Sequence, residues 1–241
     1  MKVVMLAAGI GNRLKTVHNL PKCLLEINGE TLLSRHISAI EKHQISELLL
    51  ITGYEQKLIE DELVKISSSL NINTIFNKDY RKGSVLSFLT ACNHMSIDSP
   101  VILMDADVFY DPELVDILFS TKHNNIFLLD RNFEPGDEPV KLCVAQDKII
   151  EFRKQLSTTI KYEVIGESVG FFRFSKEVFR ILHIQAEKYL KASAVNEPYE
   201  EVIRDVLLEN PGLFSYADIT GIPWIEIDFP DDIEKAKLLL G

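Results

Sequence analysis

At 241 residues, 46% of them hydrophobic, the chain can bury a full core, and no Pro/Gly/Ser-rich linker splits it into comparable halves. A formal net charge of −10 argues against a nucleic-acid backbone or an anionic membrane as the main partner, because both select basic surfaces. The apolar runs are far below the roughly 20 residues needed to span a bilayer, and Cys23, Cys92 and Cys143 show no C-x-x-C spacing, so the cysteines read as core residues of a soluble, cytoplasmic protein.

The first element is "KVVMLAAG", a continuous apolar run ending in glycine, the pattern of a parallel strand buried on both faces. After a glycine-containing loop, Leu32, Leu33, His36, Ile37 and Ile40 recur at helical spacing with Thr31 as cap, and "SELLLITG" returns as a second buried strand. The alternation continues with a helix over 55–69, the strand "INTIF", a helix from Ser84 to His94, the strand "PVILMD", a helix over 111–121 and the strand "NIFLLD". This βαβ repetition predicts an α/β fold: a Rossmann-like mixed, mostly parallel sheet flanked by helices.

From Glu138 the rhythm changes. Two short strands surround a turn at Gln146-Asp147, and "YEVIGESVGFFRF" is a long strand interrupted by glycines, together a small α+β extension. Helices over 175–192 and 199–209 follow, the second opened by Pro198, then the strands "LFSYADI" and "PWIEIDF" and a final helix "PDDIEKAKLLL". The change of rhythm divides one domain over 1–241 into two parts, 1–130 and 131–241, the second completing the sheet.

In open α/β sheets the ligand lies outside the carboxyl ends of the strands, which selects Ala8 to Arg13, Gly53, Asn77 to Ser84, Asp105 to Asp107 and Asp228. "LAAGIGNR" offers G-x-G after a strand, but the third glycine of a dinucleotide fingerprint is replaced by Leu14, and the G-K-[ST] of a phosphate-cradling P-loop is absent. What remains is a small-residue turn where Ala7, Ala8 and Gly9 admit a flat ring, while N–H groups and Arg13 face an anion. Lys22, after Pro21, supplies a second cation. The plainer alternative is a tight turn with a solvated arginine and lysine.

"ILMDADVFYD" ends an apolar strand in Asp105 and Asp107, which point to the same side. Hard oxygen ligands at a strand end suit Mg²⁺, and Asp228, at the end of "WIEIDF", is a candidate second carboxylate. Acidic residues there are also common helix caps, the role expected of Asp111 and Asp231.

"LAAGIGNRL", "PKCLLEINGETLL", "MDAD", "GESVGFF" and "WIEIDF", in that order and over essentially the whole chain, resemble the nucleotidyltransferases that activate phosphorylated small molecules with an NTP. Within them, the length and the "WIEIDFPDDIEKA" ending look most like cytidylyltransferases acting on phospho-alcohols or phosphonates. The resemblance implies a glycosyltransferase-A-like nucleotidyltransferase fold, a single nucleotidyltransferase domain over 1–241 with a nucleotide-binding core over 1–130 and an acceptor-binding part over 131–241. It also implies a Mg²⁺-dependent transfer of CMP from CTP to an acceptor of the phosphocholine, inositol phosphate or 2-aminoethylphosphonate type, with release of pyrophosphate.

On that reading Arg13 grips the β/γ-phosphates, Lys22 contacts the α-phosphate, and Asp107 and Asp228 hold Mg²⁺. The nucleotide lies against Leu6, Ala7, Ala8, Gly9, Gly11, Asn77, Gly83, Ser84 and Asp105. Glu167 resembles a strand-borne acceptor contact. Lys141 and Lys154 meet the second phosphate or belong to a solvated hairpin. Tyr199 and Glu200 close the acceptor pocket or merely start a helix, and Trp224 stacks on a quaternary amine or sits in the core. Where sugar-nucleotide members place Gly-Asp, this chain has Ala106-Asp107, small enough for the same turn. A sugar-1-phosphate nucleotidyltransferase using UTP, dTTP or GTP, and a nucleotide-binding regulator without turnover, are the alternatives. An NAD-binding dehydrogenase fits less well, because Glu30, at about the right distance for a ribose contact, lies in a turn before a helix. No nucleic-acid partner or membrane insertion is expected, and a homodimer is compatible with the sequence.

Overall fold

The structure is a computed structural model that describes residues 1–239. Strand β1 (Lys2–Ala7) leads through two short 3₁₀ turns into the hairpin β2 (Glu26–Ile27) and β3 (Glu30–Thr31) and helix α1 (Leu32–Glu41). β4 (Glu47–Thr52), α2 (Gln56–Lys65), β5 (Ile72–Phe76), α3 (Val85–His94) and β6 (Val101–Asp105) complete the first repeats. Then come β7 (Val108–Tyr110), α4 (Glu113–Ser120), β8 (Ile126–Asp130), the hairpin β9 (Lys141–Ala145) and β10 (Lys148–Arg153), and the long β11 (Val164–Phe174). The chain closes with α5 (Lys176–Lys191), α6 (Tyr199–Glu209), β12 (Ser215–Asp218), β13 (Trp224–Glu226) and α7 (Pro230–Leu239).

The main sheet has the order β10-β9-β11-β6-β1-β4-β5, with β8 joined to β11 and β12 joined to β8. β5, β4, β1 and β6 are parallel to one another, as the βαβ rhythm requires, and β11 runs antiparallel to β6, β8 and β9. Strand alternation sends Val4 and Ile51 into a core under α3, α5 and α6, and Val3, Met5 and Leu50 into a second core under α1 and α4. Each face of the sheet is thus covered by helices, which leaves the strand ends as the place for a site.

Local signals act as their chemistry dictates. The Thr31 hydroxyl accepts from Ser34 N at 3.2 Å and caps α1, and all three cysteines are buried and free. Gln146 and Asp147 both adopt positive φ, the geometry of a two-residue hairpin turn. The glycine interruption in β11 is a bulge: the register with β8 shifts between Ser168 and Phe172, around Gly170 at φ +79.

Three expectations are corrected. α2 stops at Lys65 rather than 69, where the chain turns extended at Ile66. "PWIEIDF" does not join the main sheet; only Trp224–Glu226 is strand, and it pairs with β7, itself unforeseen. The carboxylate at the start of α7 is Asp232, not Asp231: it accepts from Asp228 N at 3.1 Å and Phe229 N at 2.7 Å. Leu240, placed in the final helix by the sequence pattern, lies outside the described residues. No helix among the described residues is long and apolar enough to cross a membrane.

Candidate active site

The chain leaves β1 through Ala8 and Gly9, where nothing within 4 Å would meet a β-carbon on Gly9. Gly11 sits at φ +64, and a Cβ there would come within 3.0 Å of Lys22 Cγ, so the turn closes backbone against the lysine stem. The 3₁₀ turns Asn12–Leu14 and Lys22–Leu24 bury Leu14, Cys23 and Leu24, which fixes the loop and leaves Arg13 and Lys22 lining a cleft of about 230 Å³ with Asp107 and Asp228.

Two strand ends meet there. Ile227 N donates to Asp107 O at 2.9 Å and joins the turn after β6 to the segment after β13. Lys22 Nζ donates to Asp107 Oδ2 at 2.8 Å and to Asp228 Oδ1 at 2.5 Å, while Arg13 Nη1 donates to Asp228 Oδ2 at 3.0 Å. Burial works against the lysine's charge, but the two carboxylates outweigh it and raise its pKa. Burial also works against ionisation of Asp228, and Lys22 and Arg13 overcome it, holding its carboxyl below the usual range.

Glu226 adds a third carboxylate: Asp107, Glu226 and Asp228 each offer an oxygen within 4.8 Å of the others. Glu226 is exposed to solvent, and the protein packed around it, then Asp107 and Asp228, push its carboxyl up to about 8. A set of three carboxylates, oxygen ligands only, fits a hard divalent cation such as Mg²⁺.

A second chamber of about 240 Å³ shares Leu6, Gly9 and Asp107 with the first and is walled by Tyr80, Ser84 and Tyr199. Tyr199 is 2% exposed and stacks on Phe88, and its hydroxyl donates to Asp105 Oδ2 at 2.6 Å. Tyr199 stands at the start of α6 with its ring packed as a wall of this chamber. Burial, Asp107 and Glu200 raise the Asp105 carboxyl well above the ordinary range. Glu200 borders this chamber and a further one of about 510 Å³ that is also lined by Lys154, Leu156 and Pro198, and its Oε2 is buried with no hydrogen-bond partner.

The remaining sequence-selected residues are held by contacts of their own. Asn77 is 3% exposed and spends its side chain on Ser87 Oγ (3.0 Å, donating) and Asp79 N (2.9 Å, accepting). Gly83 lacks a side chain because the backbone of Asn196 and Glu197 packs directly on it, and Ser84 Oγ accepts from Tyr199 N at 3.0 Å. Glu167 is in register with Asp130 on one side and Lys141 on the other; burial and Asp130 push it up to about 7. Lys141 Nζ is committed to backbone carbonyls, and Lys154 Nζ lies 3.4 Å from Glu138. Trp224 packs beside the second core and donates its Nε1–H to Asp130 Oδ2 at 2.8 Å.

Glu226 and Glu138 were not selected from the sequence, whereas Tyr80 and Lys82, which line the second chamber, lie within the selected segment Asn77 to Ser84. Glu226 carries a usable signal, because residues two apart on a strand share a face, and Asp228 had been selected. Glu138, in a polar connection without periodicity, carries none.

Residues 3–166 match the family model described as the MobA-like NTP transferase domain. The chain is 24% identical over 242 residues to a bifunctional IPC transferase and DIPP synthase of Rubrobacter xylanophilus, covering 98% of this chain and 51% of that protein. It is 20% identical over 240 residues to a CMP-5'-(3-aminopropyl)phosphonate synthase of Streptomyces rubellomurinus, covering 98% and 38% respectively. The chain thus spans about half the length, or less, of these curated relatives. In three dimensions it is similar to the inositol-1-phosphate CTP transferase from T. maritima (TM-score 0.77, 17% identity, 100% of this chain and 96% of that chain). It is equally similar to the CTP:phosphocholine cytidylyltransferase LicC from Streptococcus pneumoniae (TM-score 0.76, 17% identity, 100% and 99%). At these identities the structural likeness is one of fold, and it agrees with the mixed, mostly parallel sheet. With a family model matching more than half of its length and the strand-end loop of the sequence reading in place, this chain belongs to the MobA-like NTP transferase domain family of nucleotidyltransferases.

Proposed function

We propose that the protein is a Mg²⁺-dependent cytidylyltransferase that transfers CMP from CTP to a small phosphorylated alcohol or phosphonate, releasing pyrophosphate, with residues 1–130 serving the nucleotide and 131–241 the acceptor. The observation that carries this reading is the ladder of charge at the ends of β1 and β6: Arg13, Asp228, Lys22 and Asp107, each bonded to the next. Two cations of different reach, held by carboxylates, form a frame for a polyphosphate.

In the reaction, an oxygen of the acceptor's phosphoryl group attacks the α-phosphorus. The bond from that phosphorus to the bridging oxygen breaks, and pyrophosphate leaves with the electron pair. Arg13 would hold the β/γ-phosphates and the developing pyrophosphate charge, and Lys22 the α-phosphate. Ala8 and Gly9 present bare backbone to the base and ribose, and the wall of Tyr199 and Asp105 fixes the depth of that pocket. Asp107, Glu226 and Asp228 would hold Mg²⁺, which when bound neutralises phosphate charge. With little covalent work for side chains, positioning and charge neutralisation carry the rate. At the acceptor end, Glu200 and Glu167 favour a substrate with a cation or hydrogen-bond donors, of the phosphocholine, inositol phosphate or 2-aminoethylphosphonate type, and Lys154, paired with Glu138 here, is the cation that would meet its phosphate.

Pyrophosphate release with CTP, UTP, dTTP and GTP, each against those acceptors and glucose 1-phosphate, tests the reading. CTP with a non-sugar acceptor is the expected pair. Turnover confined to hexose phosphates would replace it with a sugar-1-phosphate nucleotidyltransferase, and no release from any pair would overturn both. Asp107→Ala is expected to abolish release while leaving the circular dichroism spectrum unchanged.

A further inference from the structure

Glu138 lies in the connection between β8 and β9, 125 residues from Arg13 in sequence, yet its carboxylate meets that guanidinium edge-on. Arg13 Nη2 donates to Oε1 at 3.0 Å and Nη1 to Oε2 at 3.2 Å, while Lys154 Nζ donates to Oε2 at 3.4 Å. Two forked donors and an ammonium converging on two oxygens is the set of contacts that a phosphoryl group would receive at the same place.

The arrangement is held from behind. Lys141 Nζ donates to Gly136 O at 2.7 Å and Pro139 O at 3.3 Å, within the strap that carries Glu138, and to Lys154 O at 2.6 Å, just past β10. One ammonium therefore ties the strap to the residue whose side chain Glu138 meets. On the other side, Arg13 lies over the Phe229 ring at 4.8 Å, so its guanidinium is fixed between an aromatic face and the strap. Arg13 Nη1 also donates to Asp228, and Glu138 is the more exposed of the two carboxylates on the guanidinium, 48% against 22%.

We propose that Glu138 is an internal competitor: its carboxylate occupies the Arg13–Lys154 gap in the substrate-free protein, and an incoming phosphoryl group must displace it. This rests on the nucleotidyl-transfer reading only for which phosphoryl group arrives, the triphosphate of the nucleotide or the phosphate of the acceptor. The contact is solvent-exposed, 46% for the Arg13 side chain and 48% for Glu138, so its hold is modest and reversible. Lys141 sets how readily the strap withdraws.

The test is calorimetric binding of inorganic pyrophosphate, CTP and phosphocholine, separately, to the wild-type chain and to Glu138→Gln, which keeps the shape and removes the charge. Tighter binding of a phosphoryl ligand to Glu138→Gln, by roughly two- to fivefold at low salt and converging at high salt, is expected. The ligand that gains most identifies the displaced contact. Lys141→Met, which frees the strap, should shift affinity in the same direction, and in an Arg13→Gln background the gain from Glu138→Gln should shrink. Unchanged or weaker binding of all three ligands to Glu138→Gln would overturn the proposal and make Glu138 neutral or a positioning residue for Arg13. If no NTP and acceptor pair releases pyrophosphate, the functional reading falls, and the pyrophosphate arm still decides the role of Glu138.

Discussion

Gly11→Ala separates backbone strain from placement of Lys22. At φ +64 an alanine costs about 1–2 kcal/mol relative to an allowed conformation, partly offset by the less flexible unfolded chain, so a loss of about 1 kcal/mol is expected. For a chain of this length that is a fall in Tm of roughly 2–4 °C. The new Cβ would also stand 3.0 Å from Lys22 Cγ. Carbon pairs rest at about 3.5–4.0 Å, so the lysine stem must move by about half an ångström. If a 1 Å misplacement costs on the order of a hundredfold in rate, half of that costs about tenfold. Gly29→Ala is the matched control: it has φ +83 and the same kind of strain, with nothing within 4 Å of the added carbon. Thermal melts should show similar losses for the two variants, while initial rates of pyrophosphate release should fall about tenfold for Gly11→Ala alone. Equal rates for the two variants would refute the argument that the glycine seats the lysine.

Two further outcomes follow from charge burial elsewhere. Glu167 is pushed up to about 7 from an ordinary 4.5 by burial and by Asp130, so between those values the folded chain binds the extra proton. Its neutral form supports the fold in full below about 4.5, and that support is lost as pH rises through about 7. Glu167→Gln should therefore gain about 1–2 kcal/mol over the wild type on going from pH 5 to pH 8, allowing for solvent screening, as read from denaturant midpoints. Arg204 donates to both oxygens of Glu151, at 2.6 and 2.8 Å, with the Glu151 side chain only 9% exposed. Arg204→Met strands that carboxylate and should cost about 3 kcal/mol, a fall in Tm of roughly 6–12 °C, with the folded fraction still binding nucleotide.

The parts of the site legible in the sequence are those built from short segments. Arg13 follows β1 by a few residues and Asp107 follows β6, so the strand-end rule alone finds them, while Lys22 is read from its place after Pro21 and from the family resemblance. The hydrophobic period found the strands of the main sheet because most are buried on both faces. It missed β7 and overran β13, which are three residues each and pair with one another away from that sheet. Lys141 reads in sequence as a cation for a ligand, yet three carbonyls claim its ammonium, and nothing local announces carbonyls that come from a loop and from the next strand. Tyr199 opens a helix, which suggests a rim position; its ring is instead drawn inward by Phe88 and Phe172, and only the tertiary fold places Asp105 above its hydroxyl. Trp224 resolves for the same reason, since its partner Asp130 is 94 residues away.

Strand β11 also bears on how the protein is made. Phe171–Phe174 pair with Met104–Val101, so the open side of β6 has no strand to bond until the chain has been extended past Phe174. At roughly 5–20 residues per second of synthesis, that edge waits about 3–14 s, with the apolar run Val101–Met104 unpaired on one side. The same strand then bonds β8 and β9, so its arrival settles three pairings together. A nascent chain stalled before β11 would present a hydrophobic parallel sheet with a free edge, the species most prone to stick to its neighbours.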